Sequence, residues 1–243
     1  MVIIGLTGSV AMGKSTAARA FRRLGVPVHD ADAAVRRLLG PGGAALDAIA
    51  RAFPGAVRNG AADRAELARR VFADKAALAR LEKILHPLVR RRTRAFLAAC
   101  ARRREPLVVL DVPLLFETGG ERNCDLVVAV SAPAFLQSRR FLRRPGMTPA
   151  RLAATLARQM PDADKRRRAD IVIQTGLDRG FSFRRVAAIV AAIKYSPRGF
   201  ARGGARQKHG SAGALANPRA LTKTRPHQGA RANKRPAWKP GWR

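Results

Sequence analysis

The sequence predicts an α/β fold, a five-stranded parallel sheet covered by helices on both faces. Three observations predict it. Short β-branched apolar runs alternate with helical patterns, a glycine-containing loop directly follows the first run, and a long purely helical stretch separates the second run from the third. Val2-Ile3-Ile4-Gly5-Leu6 reads as a buried strand. A helical pattern runs from Lys14 to about Leu24, with Phe21 and Leu24 on one side, and Gly25 stops it. Val26-Pro27-Val28-His29 is the second strand, after which Asp30 or Asp32 caps a helix reaching about Leu39.

Gly40-Pro41-Gly42-Gly43 then breaks the chain. From there to about residue 104 only helical patterns are read (Ala44–Phe53, Arg64–Phe72, Lys75–Leu85 and Pro87–Arg104), which together make a helical insertion. Leu107-Val108-Val109-Leu110-Asp111 is the third strand, followed by the loop Val112–Glu117, and Asp125–Val130 is the fourth. Residues 134–168 are helical and Arg-rich around Pro145-Gly146. Asp170-Ile171-Val172-Ile173-Gln174 is the fifth strand and Phe183–Ile193 a closing helix. These elements define one domain, residues 1–193. Residues 194–243 are rich in Gly, Ala, Pro, Arg and Lys without apolar periodicity. They are expected to be either a disordered basic tail or a run-on end with no selected role.

The chain of 243 residues is long enough for a sizeable core. Its longest apolar runs are too short to cross a bilayer, and its start lacks a basic segment followed by a long apolar one, so neither a membrane span nor a signal peptide is expected. Cys100 and Cys124 lack metal-like spacing, as in a reduced cytoplasmic protein without structural disulfides. The formal charge is +32, and no acidic residue follows Asp178. Such a field attracts phosphorylated metabolites and, non-specifically, nucleic acid. Charge alone does not separate these partners, and most of the arginines suit a solvated surface.

Gly8-Ser9-Val10-Ala11-Met12-Gly13-Lys14-Ser15, with Thr16 next, fits G-x-x-x-x-G-K-[ST] and stands between a strand and an amphipathic helix, as a P-loop requires. Its glycines allow backbone angles that let successive amides cradle phosphate at a helix N-terminus. Gly8, Ala11, Met12, Gly13, Lys14, Ser15 and Thr16 are therefore the candidate nucleotide-binding residues. Lys14 would supply charge to the β- and γ-phosphates of ATP, and Ser15 would offer its hydroxyl to Mg²⁺.

Beyond the P-loop, the chain carries Gly5-Leu6-Thr7-Gly8, Asp30-Ala31-Asp32, His86-Pro87-Leu88-Val89-Arg90 and Asp111-Val112-Pro113-Leu114-Leu115-Phe116-Glu117. Gln137-x-x-Arg140-x-x-x-Arg144, Arg158-Gln159-Met160-Pro161, Lys165 and Ala169-Asp170 follow. In this order and spacing, over residues 1 to about 193, the chain resembles the dephospho-coenzyme A kinase family. The resemblance implies a nucleoside-monophosphate-kinase-like core, a helical substrate domain (about 40–104) and a mobile lid (about 134–168). It implies transfer of the γ-phosphoryl group of ATP to the ribose 3′-hydroxyl of dephospho-CoA, the last step of coenzyme A synthesis.

The site roles rest on the residues and that resemblance together. Asp32 is the candidate general base, or the group that orients the acceptor hydroxyl; capping a helix is its bland alternative. Asp111 ends a buried strand where α/β sheets bind ligands, and could hold the Mg²⁺ shell, position substrate or brace the P-loop. The resemblance places His86 and Arg90, four apart on a helix, in the acceptor pocket, although a histidine before proline also suits a helix start. Pro113, Leu114, Leu115, Phe116 and Glu117 would form part of the acceptor wall, at least one leucine being plain core. Arg140 and Arg144, also four apart, are candidate lid arginines, with Arg140 stabilising transition-state charge. Gln159 and Lys165 match family positions with open roles. Two residues depart from the family pattern: Ala11 stands where glycine is usual, and Arg36 near where histidine is common. The alternatives are another small-molecule P-loop kinase, such as one acting on nucleoside monophosphates, or a nucleic-acid-binding P-loop protein, which the tail's few aromatics make a poor fit.

Overall fold

A computed structural model of the chain describes residues 1–195. The expected basic tail lies outside the described residues from position 196 on. The elements in chain order are β1 (Val2–Thr7), α1 (Lys14–Arg23), β2 (Val28–Asp30), α2 (Ala31–Leu39), α3 (Leu46–Ala52), β3 (Val57–Arg58), β4 (Ala61–Ala62), α4 (Arg64–Ala73) and α5 (Lys75–Arg102). They continue with β5 (Leu107–Asp111), β6 (Leu126–Ser131), α6 (Ala134–Leu142), α7 (Pro149–Ala157), α8 (Asp162–Arg168), β7 (Ile171–Gln174) and α9 (Arg179–Tyr195). Two compact units result, one of residues 1–28 with the described residues from 106 on, the other of His29–Glu105.

The expected sheet forms, in the order β2-β5-β1-β6-β7. β1 pairs in parallel with β5 and β6, and β6 with β7. Every residue of β5 and β6 is buried, which is why these strands read as continuous apolar runs rather than alternating ones. Carboxylates just ahead of two strands complete the ladders: Asp125 Oδ2 accepts from Ile3 N at 2.8 Å and Asp170 Oδ2 from Val127 N at 2.7 Å. One face buries Phe21 of α1 with Val186, Ile189 and Ile193 of α9 against β1 and β6. Phe21 is 0% exposed, so truncating it to alanine would cost about 3–5 kcal/mol. A separate cluster gathers Leu115, Phe116 and Val127 with Met160.

The second unit is built around α5, with Leu38, Ile49, Phe53 and Leu67 buried in its core. Two expectations need correction here. The helix expected to restart at Pro87 is one continuous 28-residue helix with Pro87 inside it. Proline removes one backbone bond and costs about 3 kcal/mol in a helix interior. Leu81, Ile84 and Leu85 before it and Leu88 and Val89 after it pack on the same cluster, which offsets that cost. Nor is the insertion purely helical: β3 and β4 form a short antiparallel hairpin. Its turn is Asn59-Gly60 with φ of 50° and 72°, both in the left-handed region that Asn-Gly supplies best.

Candidate active site

The loop between β1 and α1 carries the phosphate-cradle geometry. A Cβ on Gly8 would collide with Val130 Cγ2, and one on Gly13 would lie 2.8 Å from Thr175 Oγ1, so neither position accepts a side chain. Gly13 is the N-cap of α1 at φ 91° and has no side chain to bond the first turn, which leaves the amides of Lys14 and Ser15 without intrahelical acceptors. The amide of Met12 turns back onto Ser9 O at 3.1 Å, tightening the loop. Ala11 has φ 60°, so the residue that departs from the family pattern does occupy left-handed backbone. Its methyl group is 9% exposed and packs with Phe141 and Leu152.

Lys14 and Asp111 are brought together, Nζ to Oδ1 at 2.5 Å. Asp111 is the last residue of β5 and is 4% exposed. Ser15 is exposed in the first turn of α1 and Thr16 is half-buried there. Thr175, just past β7, was not singled out from the sequence, yet it links two parts of the site. Its hydroxyl donates to Met12 O at 2.6 Å, while Arg140 donates to Thr175 O at 2.8 Å and to its Oγ1 at 3.3 Å. Arg140 is thereby anchored beside the P-loop. Arg144 differs from expectation: α6 ends at Leu142, so Arg144 stands in the turn before Pro145 and shares no helix face with Arg140. Its guanidinium lies 5.9 Å from the Phe141 ring centroid.

The loop after β5 divides by burial. Pro113 is half-buried and Leu114 is 38% exposed, whereas Leu115 is 1% and Phe116 5% exposed, which puts those two in the core and leaves them little surface to offer an acceptor. Glu117 points inward as well: its Oε1 accepts from Met160 N at 2.7 Å and pairs with Lys165 Nζ at 2.9 Å. Lys165 is fully buried and also donates to Pro113 O at 3.1 Å. Both residues therefore hold this loop in place, a role that spacing alone did not suggest.

In the second unit, Asp30 is the cap of α2, its Oδ1 accepting from Ala33 N at 2.8 Å. Asp32 is exposed in the first turn, with no capping duty. His86 and Arg90 stand four residues apart on α5, both half-buried. Nearby on the same unit, His29 Nε2 lies 3.1 Å from Thr93 Oγ1 and its ring 5.2 Å from Phe96. Burial holds its imidazole below the ordinary value, with Asp30 opposing and Arg37 reinforcing the shift.

A family model for dephospho-CoA kinase matches residues 2–178. The chain belongs to the dephospho-CoA kinase family. A Paramagnetospirillum magneticum dephospho-CoA kinase is 64% identical over 166 residues, covering 68% of this chain and 78% of the relative. One from Rhodospirillum rubrum is 57% identical over 203 residues, 83% of this chain and 96% of the relative. A solved Thermus thermophilus structure, 38% identical, superposes with a TM-score of 0.68 over 78% of this chain and 96% of its own. A Campylobacter jejuni dephospho-CoA kinase structure, 23% identical, shares the fold with a TM-score of 0.62 over 80% of this chain and 98% of its own. The chain is thus a P-loop phosphotransferase for the ATP-dependent final step of coenzyme A synthesis, and neither alternative from the sequence is favoured.

Proposed function

We propose that the chain moves the γ-phosphoryl group of ATP onto the ribose 3′-hydroxyl of dephospho-CoA through the residues described above. The observation that carries this is the Lys14–Asp111 pair at the mouth of a glycine-walled loop, in a chain matched by the dephospho-CoA kinase family over 2–178. A bond forms between the 3′-oxygen and the γ-phosphorus as the bond to the β-phosphate bridging oxygen breaks. ADP leaves, and the hydroxyl proton passes to a carboxylate, for which Asp32 is the candidate.

Phosphoryl transfer asks the protein mainly for positioning and charge. The first-turn amides of α1 receive phosphate oxygens, and Gly8, Ala11, Met12, Gly13 and Thr16 shape the loop that presents them. Lys14 supplies charge to the β- and γ-phosphates, and Arg140, held by Thr175, adds charge as the transition state forms. Arg144 is a second arginine for the nucleotide. His86, Arg90, Pro113 and Leu114 are the acceptor-binding candidates, Arg90 because a guanidinium grips phosphate through paired donors. Ser15 and Asp111 would hold Mg²⁺: a hydroxyl and a carboxylate are hard oxygen donors, and Mg²⁺ takes few protein ligands while keeping several waters. When bound, the ion neutralises charge on the β- and γ-phosphate oxygens.

The location proposed for the chain is the cytoplasm; among the described residues, no helix is long and apolar enough to cross a membrane. Steady-state turnover with a panel of acceptors tests the assignment. Dephospho-CoA is expected to exceed every nucleoside monophosphate by at least about a hundredfold in kcat/KM, about 2.7 kcal/mol of discrimination. A nucleoside monophosphate as the best acceptor would overturn it.

A further inference from the structure

The P-loop residue Val10 is gripped at both of its backbone polar groups by side chains from the Arg-rich helical segment. Val10 N donates to Gln159 Oε1 at 3.0 Å, and Gln137 Nε2 donates to Val10 O at 2.9 Å. Gln137 lies on α6 and is 6% exposed; Gln159 follows the C-cap of α7. The amide orientations are fixed by their partners, since a backbone N–H only donates and a carbonyl only accepts. The next residue, Ala11, holds φ 60°, a conformation that a residue with a Cβ leaves when its surroundings permit.

We propose that Gln137 and Gln159 are positioning residues that hold the P-loop in its phosphate-binding shape through Val10; this rests on the nucleotide role assigned to that loop. The amide of Val10 is engaged by Gln159, so the phosphate-facing donors are those further along the loop. Fixing both ends of Val10 leaves the loop little freedom to relax the strained Ala11. Because Gln159 stands at the end of α7 and Gln137 on α6, the loop keeps its shape only while these helices are seated, which ties nucleotide affinity to the helical segment rather than to the sheet alone.

The two glutamines make opposite demands, and this gives the test. Calorimetric ATP affinity and the KM values for both substrates are measured for the wild type, Gln159→Leu, Gln159→Glu, Gln137→Leu and Gln137→Glu. Each leucine variant strands one backbone group and is expected to weaken ATP binding about tenfold, with the acceptor KM moved less than about twofold. Gln159→Glu keeps an acceptor for the Val10 N–H and is expected to stay within about threefold of wild type. Gln137→Glu loses its donor and turns a carboxylate on the carbonyl, so it should be at least as weak as the leucine variant. Gln159→Glu as damaging as Gln159→Leu, or equal losses for both substrates, would overturn the inference. If the Gln137 variants fail to fold, the Gln159 pair still decides it. A wild type that does not bind ATP would sink the nucleotide reading itself, whereas a binding wild type with unaffected variants sinks only the positioning role.

Discussion

Lys14 Nζ and Asp111 Oδ1 stand 2.5 Å apart, joining the first turn of α1 to the carboxyl end of β5, with side-chain exposures of 16% and 5%. The pair fixes the lysine ammonium at the mouth of the loop and gives the buried carboxylate a cation. On the role proposed for Lys14, an arriving phosphate would compete with Asp111 for that ammonium. Lys14→Ala is expected to lower kcat by about 10²–10³, the usual cost of removing one preorganised charge donor. Leaving the buried Asp111 carboxylate without that cation should also cost stability, about 3–5 kcal/mol. Turnover and urea denaturation of one preparation separate the two effects, and near-normal turnover would remove the charge role.

Asp30 caps α2, whereas Asp32, two residues on, has the proposed acceptor role. Asp30→Ala removes the cap of α2 and should cost about 0.5–2 kcal/mol with turnover retained. Asp32→Asn should leave stability unchanged and reduce kcat by about 10²–10⁴ with little change in acceptor affinity. Thermal melts alongside steady-state kinetics read both; a change confined to acceptor KM would make Asp32 a binding residue.

Ala11→Gly sets three effects against one another. Relieving left-handed backbone gains about 1–2 kcal/mol. The added chain freedom of glycine costs about 0.5–1 kcal/mol, and the lost methyl packing against Phe141 and Leu152 about 0.8 kcal/mol. The terms nearly cancel, so the denaturation midpoint should move by less than about 1 kcal/mol equivalent. A large loss would show that the methyl contact outweighs the strain.

His29 predicts an acid-sensitive contribution to stability. Burial lowers its folded-state pKa below 6.5, so the unfolded chain binds the proton first as pH falls. The contribution is complete above about pH 6.5 and is lost as pH drops through the depressed folded value. Glu66, lowered to about 2 by hydrogen bonds from Arg69 and Arg70, acts in a more acid range, below the ordinary value of 4.5. Denaturation midpoints between pH 7 and 5.5 should therefore fall less steeply in His29→Gln than in the wild type; equal slopes would contradict the assignment.

Truncation after Tyr195 tests the domain boundary. The family match ends at 178 and α9 at Tyr195, so turnover should be largely retained while salt-sensitive binding to nucleic acid falls. Lost phosphotransfer would place an essential element beyond Tyr195.

The sheet and the loop were legible in the sequence because their signals are local. Val2–Leu6, Leu107–Asp111 and Gly8–Ser15 each declare their structure within a few residues. What was missed depends on distant partners. Lys165 matches a family position, but its role stays open in the sequence, and only the fold shows that it is fully buried against Glu117. Thr175 touches Met12, which is 163 positions away in the chain. Pro87 marked a helix boundary that packing on both sides overrides, because local propensity is weaker than burial. The Asn59-Gly60 hairpin was the exception: its signal was local, but it stood in the gap between the helical patterns Ala44–Phe53 and Arg64–Phe72, where no element was read.

On the proposed function, this chain transfers a phosphoryl group from ATP to one hydroxyl of dephospho-CoA. Incubating the full chain with ATP, Mg²⁺ and dephospho-CoA, then analysing the product by mass and by phosphorus-coupled NMR of the ribose, tests it most directly. One added phosphate on the 3′-oxygen, formed with an equal amount of ADP, is the expected result. ADP formation without a phosphorylated acceptor, or phosphate at another position, would contradict it.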